Sequence, residues 1–242
     1  MNAAGRGFLV LLRHGQSEWN HSHRFTGWAD PRLTARGARE AGEAGLALAA
    51  AGMGPDVIVT SLLGRATETV ERVVAAAGWP GVSVRATWRL NERHYGSLEG
   101  LSHAEAERRY GVEPVRRWRR TWDAIPPRLA PEDARHPSHD PRYAAVPAGE
   151  LPAGESLAGA LARQLPVLAV ELDPLVGAGA RVLLVGHGNS LRALVAHLER
   201  MPPARVPGLL VPTGVPLVYG RDGNGWVARP VEFGLTGSQT GP

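Results

Sequence analysis

The chain of 242 residues contains no cysteine. Disulfide bonds and metal sites built on thiolates are therefore excluded, whatever fold the chain adopts. A chain of this length, with 43% hydrophobic residues, is long enough for one large domain with its own core. The sequence predicts a single domain over residues 1–242.

Lysine is also missing, so all 27 basic residues are arginine. The net charge is only +4, yet the isoelectric point of about 10.2 is typical of nucleic-acid-binding proteins. Arginine keeps its charge above about pH 12, whereas lysine begins to lose it at about pH 10.4. The high isoelectric point therefore follows from arginine alone, and we expect no nucleic-acid partner.

No apolar run reaches the roughly 18 residues that a membrane-spanning helix needs, so we expect no membrane association. Residues 1–7 lack the pattern of a secretory signal peptide. Together with the absence of cysteine, these features predict a cytoplasmic protein.

Strand-like and helical patterns alternate along the chain, which is typical of α/β proteins. The predicted fold is a three-layer α/β/α sandwich around a mixed, mainly parallel sheet. Strands are predicted at 8–13, 56–60, 82–87 and 181–186, followed by a hairpin of 215–219 and 225–228. Helices are predicted at 35–51 with Thr34 as N-cap, 62–77, 102–121 with a break at Gly111, 155–172 and 190–200.

The segment 124–154 is rich in proline and cannot form a regular helix. A loop of this length inside a compact domain is commonly a functional lid or disordered. We expect 124–154 to be a lid. The tail 234–242 is expected to be mobile and is the second candidate lid.

Two histidines follow apolar runs. Residues 8–12 precede Arg13, His14 and Gly15, and residues 182–185 lie just before His187. Because ligands of open α/β sheets bind at the carboxyl ends of strands, we expect both histidines at that edge. Histidines next to arginines suggest a site that handles phosphate through a histidine nucleophile.

Three further segments carry candidate functional residues. Residues 61–65 place Arg65 at the start of a helix, and residues 91–96 are dense in ionisable groups, including Glu92. Residues 116–120 form a basic cluster beside the Pro-rich segment.

These segments, in this order, resemble the histidine phosphatase superfamily and, within it, the cofactor-dependent phosphoglycerate mutases. The resemblance extends from about residue 9 to residue 219. It is carried by the blocks LLRHGQSEWN (11–20), FTGWAD (25–30), LTARG (33–37), TSLLGRA (60–66), WRLNERHYGSLEGL (88–101), the arginine cluster, DPRY (140–143), VGHGNSLRALV (185–195) and VPTGVPLVY (211–219).

The resemblance implies His14 as nucleophile and Glu92 as general acid and base. The remaining catalytic residues, around the transferred phosphoryl group, are His187, Arg13 and Arg65. The implied substrate-binding residues are Gly15, Gln16, Ser17, Glu18, Trp19, Asn20, Thr26, Gly27, Arg93, His94, Tyr95, His103, Arg119, Arg120, Gly188 and Asn189. Neutral imidazole is a competent nucleophile near pH 7, and the planar guanidinium group matches phosphate.

The implied reaction is the interconversion of 3-phosphoglycerate and 2-phosphoglycerate, a step of glycolysis and gluconeogenesis, by phosphoryl transfer through His14. The implied cofactor is 2,3-bisphosphoglycerate, which primes His14, and no metal is required. The implied partners are the small phosphoglycerate substrate and further copies of the chain, in a dimer or tetramer.

Two other functions remain open from the sequence. A phosphatase would pass the phosphoryl group to water, and the 91–96 block with Arg119 and Arg120 argues against it. A non-catalytic protein that binds phosphorylated metabolites would not need the five catalytic residues, all of which are present. Glu92 could also simply pair with Arg93.

Two positions that are usually lysine in this family are histidine here, His21 and His103. An unperturbed histidine is only about a quarter protonated at pH 7, and a neighbouring phosphate or carboxylate would raise that fraction. We therefore expect the KM for substrate, from initial rates between about pH 6 and pH 8.5, to rise above pH 7. A constant KM over this range would contradict the expectation.

Overall fold

One six-stranded sheet forms the centre of the computed structural model, which describes residues 7–235. The strands are β1 (Phe8–Arg13), β2 (Val57–Thr60), β3 (Ser83–Ala86), β4 (Arg181–Gly186), β5 (Leu217–Asp222) and β6 (Gly225–Ala228). They lie in the order β3-β2-β4-β1-β5-β6. Strands β1 to β4 pair in parallel, whereas β5 and β6 are antiparallel, which confirms the predicted mixed, mainly parallel sheet.

Each helix that the sequence predicted is present, although several of their ends differ and one short helix is additional. They are α1 (Glu18–His21), α2 (Ala35–Ala50), α3 (Gly64–Ala77), α4 (His103–Tyr110), α5 (Val112–Arg120), α6 (Leu157–Val167), α7 (Asp173–Gly177) and α8 (Gly188–Leu198). Thr34 caps α2 and Gly111 separates α4 from α5, as predicted. A π-helical turn, Leu168–Leu172, joins α6 to α7, so the helix predicted at 155–172 continues to Gly177.

Several ends were predicted wrongly by two or three residues. Helix α3 begins at Gly64 and α8 at Gly188, and β5 extends from Leu217 to Asp222. The four-residue helix α1 was not predicted, because it is too short to show a periodic pattern. No helix within residues 7–235 is long and apolar enough to cross a membrane.

Alternate residues of β1 pack into opposite layers. Leu9 and Leu11 lie in a buried cluster with residues of α6 and α8. Val10 and Leu12 lie in a second cluster with residues of α2 and α3. Because both faces of the sheet are buried, the central strands read as continuous apolar runs, and the predicted three-layer arrangement is confirmed.

The register between β1 and β4 places the two histidines at the same edge. Arg13 pairs with Gly186, and the His14 amide donates a hydrogen bond to the Gly186 carbonyl at 2.9 Å. His14 and His187 are therefore the first residues beyond the ends of two neighbouring parallel strands.

The Pro-rich segment 124–154 contains only short 3-10 turns, as its prolines predicted. It packs on the domain, because Tyr143 is buried against Trp28 and its hydroxyl accepts a hydrogen bond from Asn91 at 2.8 Å. Arg142 forms an ion pair with Asp30 at 2.9 Å. Of the tail 234–242, which was expected to be mobile, residues 236–242 lie outside the described residues.

Two glycines allow the loop after β1 to contact the first turn of α2. A Cβ atom at Gly37 would overlap the carbonyl oxygen of Gln16, and one at Gly15 would overlap the carbonyl oxygen of Gly37. This backbone contact packs α2 directly against the residues that follow His14.

Gly37→Ala is expected to destabilise the protein by roughly 1–3 kcal/mol, because the overlap involves backbone atoms on both sides. Gly42→Ala in the same helix is the matched control, since the nearest atom to its Cβ is 3.9 Å away. It should stabilise the protein by about 0.5–1 kcal/mol through helix propensity. Urea unfolding of both variants measures the difference, and equal stabilities would contradict the close packing.

Candidate active site

A cavity of about 480 Å³ lies at the carboxyl edge of the sheet. The lining residues that the sequence predicted are Arg13, His14, Gln16, Trp19, Asn20, Thr26, Arg65, Glu92, Tyr95, His103, Gly188 and Asn189. A larger surface groove of about 660 Å³, beside Arg117 and Trp118, contains none of these residues. The chemistry therefore belongs to the smaller cavity.

The backbone holds His14 in one tautomer. Its Nδ1 lies 2.7 Å from the carbonyl oxygen of Gly15, which can only accept, so Nδ1 carries the hydrogen. The unprotonated Nε2 lies 3.3 Å from the Nε of Arg65. Burial lowers the pKa of His14 well below its ordinary value, and Arg65 and Arg13 lower it further. His14 is therefore neutral at pH 7, with the lone pair of Nε2 directed toward Arg65.

His187 lies next to His14, at 5.0 Å between ring centroids, without lining the cavity. Its Nε2 lies 2.7 Å from the Oγ of Ser61, which also accepts a hydrogen bond from the Leu63 amide. The Nδ1 of His187 is buried and has no hydrogen-bond partner among the described residues. Burial lowers the pKa of His187 well below its ordinary value, as do Arg65 and His14.

Backbone carbonyl groups orient the two arginines beside His14. Arg65, which is 1% exposed, donates to the carbonyl oxygens of Ala29 at 2.7 Å and Gly27 at 2.9 Å. Arg13 donates to the carbonyl oxygen of Val211 at 2.9 Å. Two fixed guanidinium groups next to Nε2 suit a phosphoryl group, whose oxygens carry negative charge.

Glu92 is held at the amino terminus of α8. One carboxylate oxygen accepts hydrogen bonds from the amides of Arg93 at 2.7 Å and Ser190 at 3.0 Å. The other accepts from the amide of Asn189 at 3.1 Å. The orientation is favoured by the helix dipole and keeps one carboxylate fixed across the cavity from the arginines.

A family model, described as the histidine phosphatase superfamily (branch 1), matches residues 9–136 and 130–232. The chain belongs to this superfamily.

The chain is also similar to a curated relative and to solved structures. The chain is 46% identical over 224 residues to a 2,3-bisphosphoglycerate-dependent phosphoglycerate mutase of Corynebacterium jeikeium (strain K411), covering 93% of this chain and 87% of that protein. A mycobacterial glucosyl-3-phosphoglycerate phosphatase in complex with VO3 is 28% identical with a TM-score of 0.70, covering 92% and 97% of the two chains. Mycobacterial hydrolase 1 is 27% identical with a TM-score of 0.72, covering 93% and 97%.

Several residues that the superfamily resemblance implied as ligands do not line the cavity of this member. They are Gly15, Ser17, Glu18, Gly27, Arg93, His94, Arg119, Arg120 and His187. Ser17 is buried as the N-cap of α1, and Gly27 binds Arg65 through its carbonyl group. Arg119 and Arg120 end α5 near the cavity, close enough to His103 to affect its pKa.

Arg93 and His94 are fully buried, as Arg65 and His187 are, and their role as substrate ligands stays a prediction. The Arg93 guanidinium lies 4.4 Å from the centre of the Tyr95 ring and donates to the carbonyl oxygen of Trp118. It therefore forms no ion pair with Glu92 among the described residues, contrary to the alternative that the sequence left open. His94 accepts a hydrogen bond from the Gly96 amide.

The cavity is also lined by residues that were not predicted to be ligands: His21, His23, Arg24, Phe25, Arg36, Arg192, Pro212 and Thr213. Arg192 donates to the Oδ1 of Asn189 at 2.9 Å, which turns the Asn189 amide nitrogen toward the Tyr95 hydroxyl, also at 2.9 Å. Arg192 lies four residues after Gly188 in α8, so helical spacing alone could have placed it on the same face.

His103 differs from the sequence-based expectation. Burial lowers its pKa to about 4, and Arg119, His23 and Arg120 lower it further. The charged groups that act on His103 are therefore cations, which lower its pKa, whereas a carboxylate would have raised it. In the protein without substrate His103 is neutral between about pH 6 and pH 8.5, and the expected rise of KM stays a prediction that depends on how far a bound phosphate raises the pKa of His103.

The Pro-rich segment 124–154 does not line this cavity. It borders a second cavity of about 460 Å³ that shares Trp19 with the first. The lid function of this segment therefore stays a prediction. Among the residues that the structure describes, no group of three or more histidine or acidic side chains is placed to hold a metal ion.

A buried ion pair supports the backbone that carries Glu92. Arg163 binds both carboxylate oxygens of Glu155 at 2.9 Å and donates to the carbonyl oxygens of Asn91 and Glu92, each at 3.2 Å. Glu155 in turn accepts from the His94 amide at 2.8 Å. Neither residue was predicted, because a single buried pair leaves no periodic pattern in a sequence.

Arg163→Met is expected to destabilise the protein by roughly 3–5 kcal/mol, because it leaves the buried carboxylate of Glu155 unpaired. The control is Arg85→Met, which breaks the surface pair with Glu171 at 2.9 Å and should cost below about 1 kcal/mol. Urea unfolding measures both losses. Equal losses would show that the buried pair does not support the site in this way.

Proposed function

We propose that the protein is a 2,3-bisphosphoglycerate-dependent phosphoglycerate mutase that interconverts 3-phosphoglycerate and 2-phosphoglycerate through a phosphohistidine at His14. The proposal is carried by the neutral His14, whose Nε2 lies 3.3 Å from Arg65 in a cavity that also contains the fixed carboxylate of Glu92. The 46% identity to a mutase of that name supports the substrate.

His14 needs no base for its attack. Its Nε2 lone pair forms the N–P bond as the bond from phosphorus to the leaving oxygen breaks, while Nδ1–H stays on the Gly15 carbonyl. Arg13 and Arg65 neutralise the charge on the phosphoryl oxygens throughout, which is the main contribution a protein makes to phosphoryl transfer. The Nδ1 of His187, which has no partner among the described residues, offers the phosphoryl group a further contact next to His14.

Glu92 moves the proton. When a substrate hydroxyl attacks the phosphoryl group on His14, the carboxylate accepts the hydroxyl proton as the N–P bond breaks. In the reverse direction the carboxylic acid returns that proton to the leaving oxygen. Three backbone amides hold the carboxylate in position for both steps.

The donor set fits a ligand with more than one anionic group. The cavity lining contains one carboxylate, that of Glu92, and five arginines, which are Arg13, Arg24, Arg36, Arg65 and Arg192. Three of these arginines also form ion pairs outside the lining, Arg24 with Glu105, Arg36 with Glu40 and Arg65 with Asp30. Such an excess of guanidinium groups matches a bisphosphorylated acid. 2,3-Bisphosphoglycerate supplies, when bound, the phosphoryl group that primes His14.

The site roles, the lid function of 124–154, the dimer or tetramer and the cytoplasmic location are parts of the same proposal. They are supported by the sequence and by the family to which the chain belongs.

A phosphatase is the second candidate function, because a solved structure with this fold is a glucosyl-3-phosphoglycerate phosphatase. In that case water would accept the phosphoryl group from His14, and no isomer would form.

Phosphorus NMR of 3-phosphoglycerate with a trace of 2,3-bisphosphoglycerate separates the two functions. We expect 2-phosphoglycerate to appear with the wild-type protein and with Glu171→Gln, a surface control, but not with His14→Ala. Glu92→Gln should slow the reaction by about 10²–10⁴, because it keeps the shape of the side chain and removes the proton acceptor. Inorganic phosphate without the isomer would contradict the mutase and favour the phosphatase.

A further inference from the structure

Glu99 is a buried carboxyl group for which the proposed reaction has no use. It is 6% exposed and borders the second cavity, whereas Glu92 lines the first. One of its oxygens accepts hydrogen bonds from the consecutive amides of Trp28 at 2.7 Å and Ala29 at 3.1 Å. Consecutive amides of this kind form a concave anion-binding nest.

Arg65 binds the carbonyl groups of the same turn. Its guanidinium donates to Gly27 and Ala29, whereas Glu99 accepts from Trp28 and Ala29. Gly27 has a φ of +55°, and a Cβ atom there would lie 2.6 Å from the Glu99 carboxyl oxygen. The turn 27–29 is therefore clamped between one guanidinium group and one carboxyl group, with no space between Gly27 and Glu99.

The charge of Glu99 changes near neutral pH. Burial raises its pKa to about 7, although the amides of Trp28 and Ala29, and the charges of Arg135 and Arg65, act in the opposite direction. The other titratable and charged groups around the second cavity are Asp30, His136, His139, Asp140, Arg142 and Tyr143. Arg65 thus has one acidic neighbour whose charge changes near pH 7, Glu99, in addition to Asp30, which lies 3.8 Å from its Nη1.

We propose that Glu99 is a positioning residue that couples the binding of an anionic phosphoryl group at Arg65 to the uptake of one proton from solvent. A bound anion and an ionised Glu99 repel each other and compete for the same guanidinium charge. The anion therefore favours protonated Glu99, and by linkage protonated Glu99 favours the anion. The inference rests on the proposed role of Arg65 in holding the phosphoryl group.

The coupling gives the site a pH dependence separate from that of His103, whose pKa is about 4 in the protein without a ligand. Above about pH 7 ionised Glu99 should weaken anion binding. His21 and His23 also line the first cavity, so a pH profile of the wild-type protein alone does not isolate Glu99.

Sulfate is a suitable probe, because it is a tetrahedral dianion that does not titrate in this range. Its affinity is measured by isothermal titration calorimetry at about pH 6 and pH 9, in buffers of different ionisation enthalpy that report proton uptake. We expect the wild-type affinity to fall about tenfold more over this range than that of Glu99→Gln. The glutamine keeps a carbonyl oxygen for both amides and removes the charge.

The control Glu171→Gln should retain the wild-type pH dependence and proton uptake, because this residue pairs with Arg85 on the surface. Equal pH dependences in the wild type and Glu99→Gln would overturn the inference and leave the proposed function intact. Sulfate binding that Arg65→Gln, shown to be folded by circular dichroism, does not weaken would instead contradict the phosphate-binding role of Arg65 and the function proposed from it.

Discussion

The parallel pairing of β1 with β4 is the constraint on which the rest of the site depends. It aligns Arg13 with Gly186 and ties the His14 amide to the Gly186 carbonyl, so that two histidines far apart in the chain become neighbours. A shift of one residue in this register would turn every side chain of β1 to the opposite layer, because side chains alternate along a strand. The buried apolar faces on both sides of the sheet therefore also fix the geometry of the chemistry.

Burial and positive charge together determine the protonation state of the two histidines in the site. His14 and His187 are enclosed between Arg65 and Arg13, and both burial and these charges keep the imidazole rings neutral. Backbone carbonyl groups orient both arginines, and Arg65 also pairs with the carboxylate of Asp30 at 3.8 Å. The few acidic groups nearby have separate positions: Glu92 across the cavity and Glu99 behind the turn 27–29. In a chain without lysine, every one of these cations has the planar guanidinium geometry that suits phosphate.

The sequence predicted the strands that are buried on both faces, and with them the residues that directly follow those strands. Apolar runs identified β1 and β4, and with them His14 and His187, since a strand and the residue after it are local features. Residues joined only by tertiary contacts were not predicted. Arg163 and Glu155 form their buried pair without any periodic signal in the sequence. The low pKa of His103 was not predicted either, because the sequence shows neither the burial of this side chain nor its cationic neighbours.

The most direct test of this account is the position of the phosphoryl group on the protein. The chain is incubated with 2,3-bisphosphoglycerate, stopped in alkali, and digested for mass spectrometry and phosphorus NMR against standards of both phosphohistidine isomers. Because the Gly15 carbonyl holds the hydrogen on Nδ1, the account predicts an acid-labile phosphoryl group on Nε2 of His14. Phosphorylation on Nδ1 of His14, or on a residue other than His14, would contradict it.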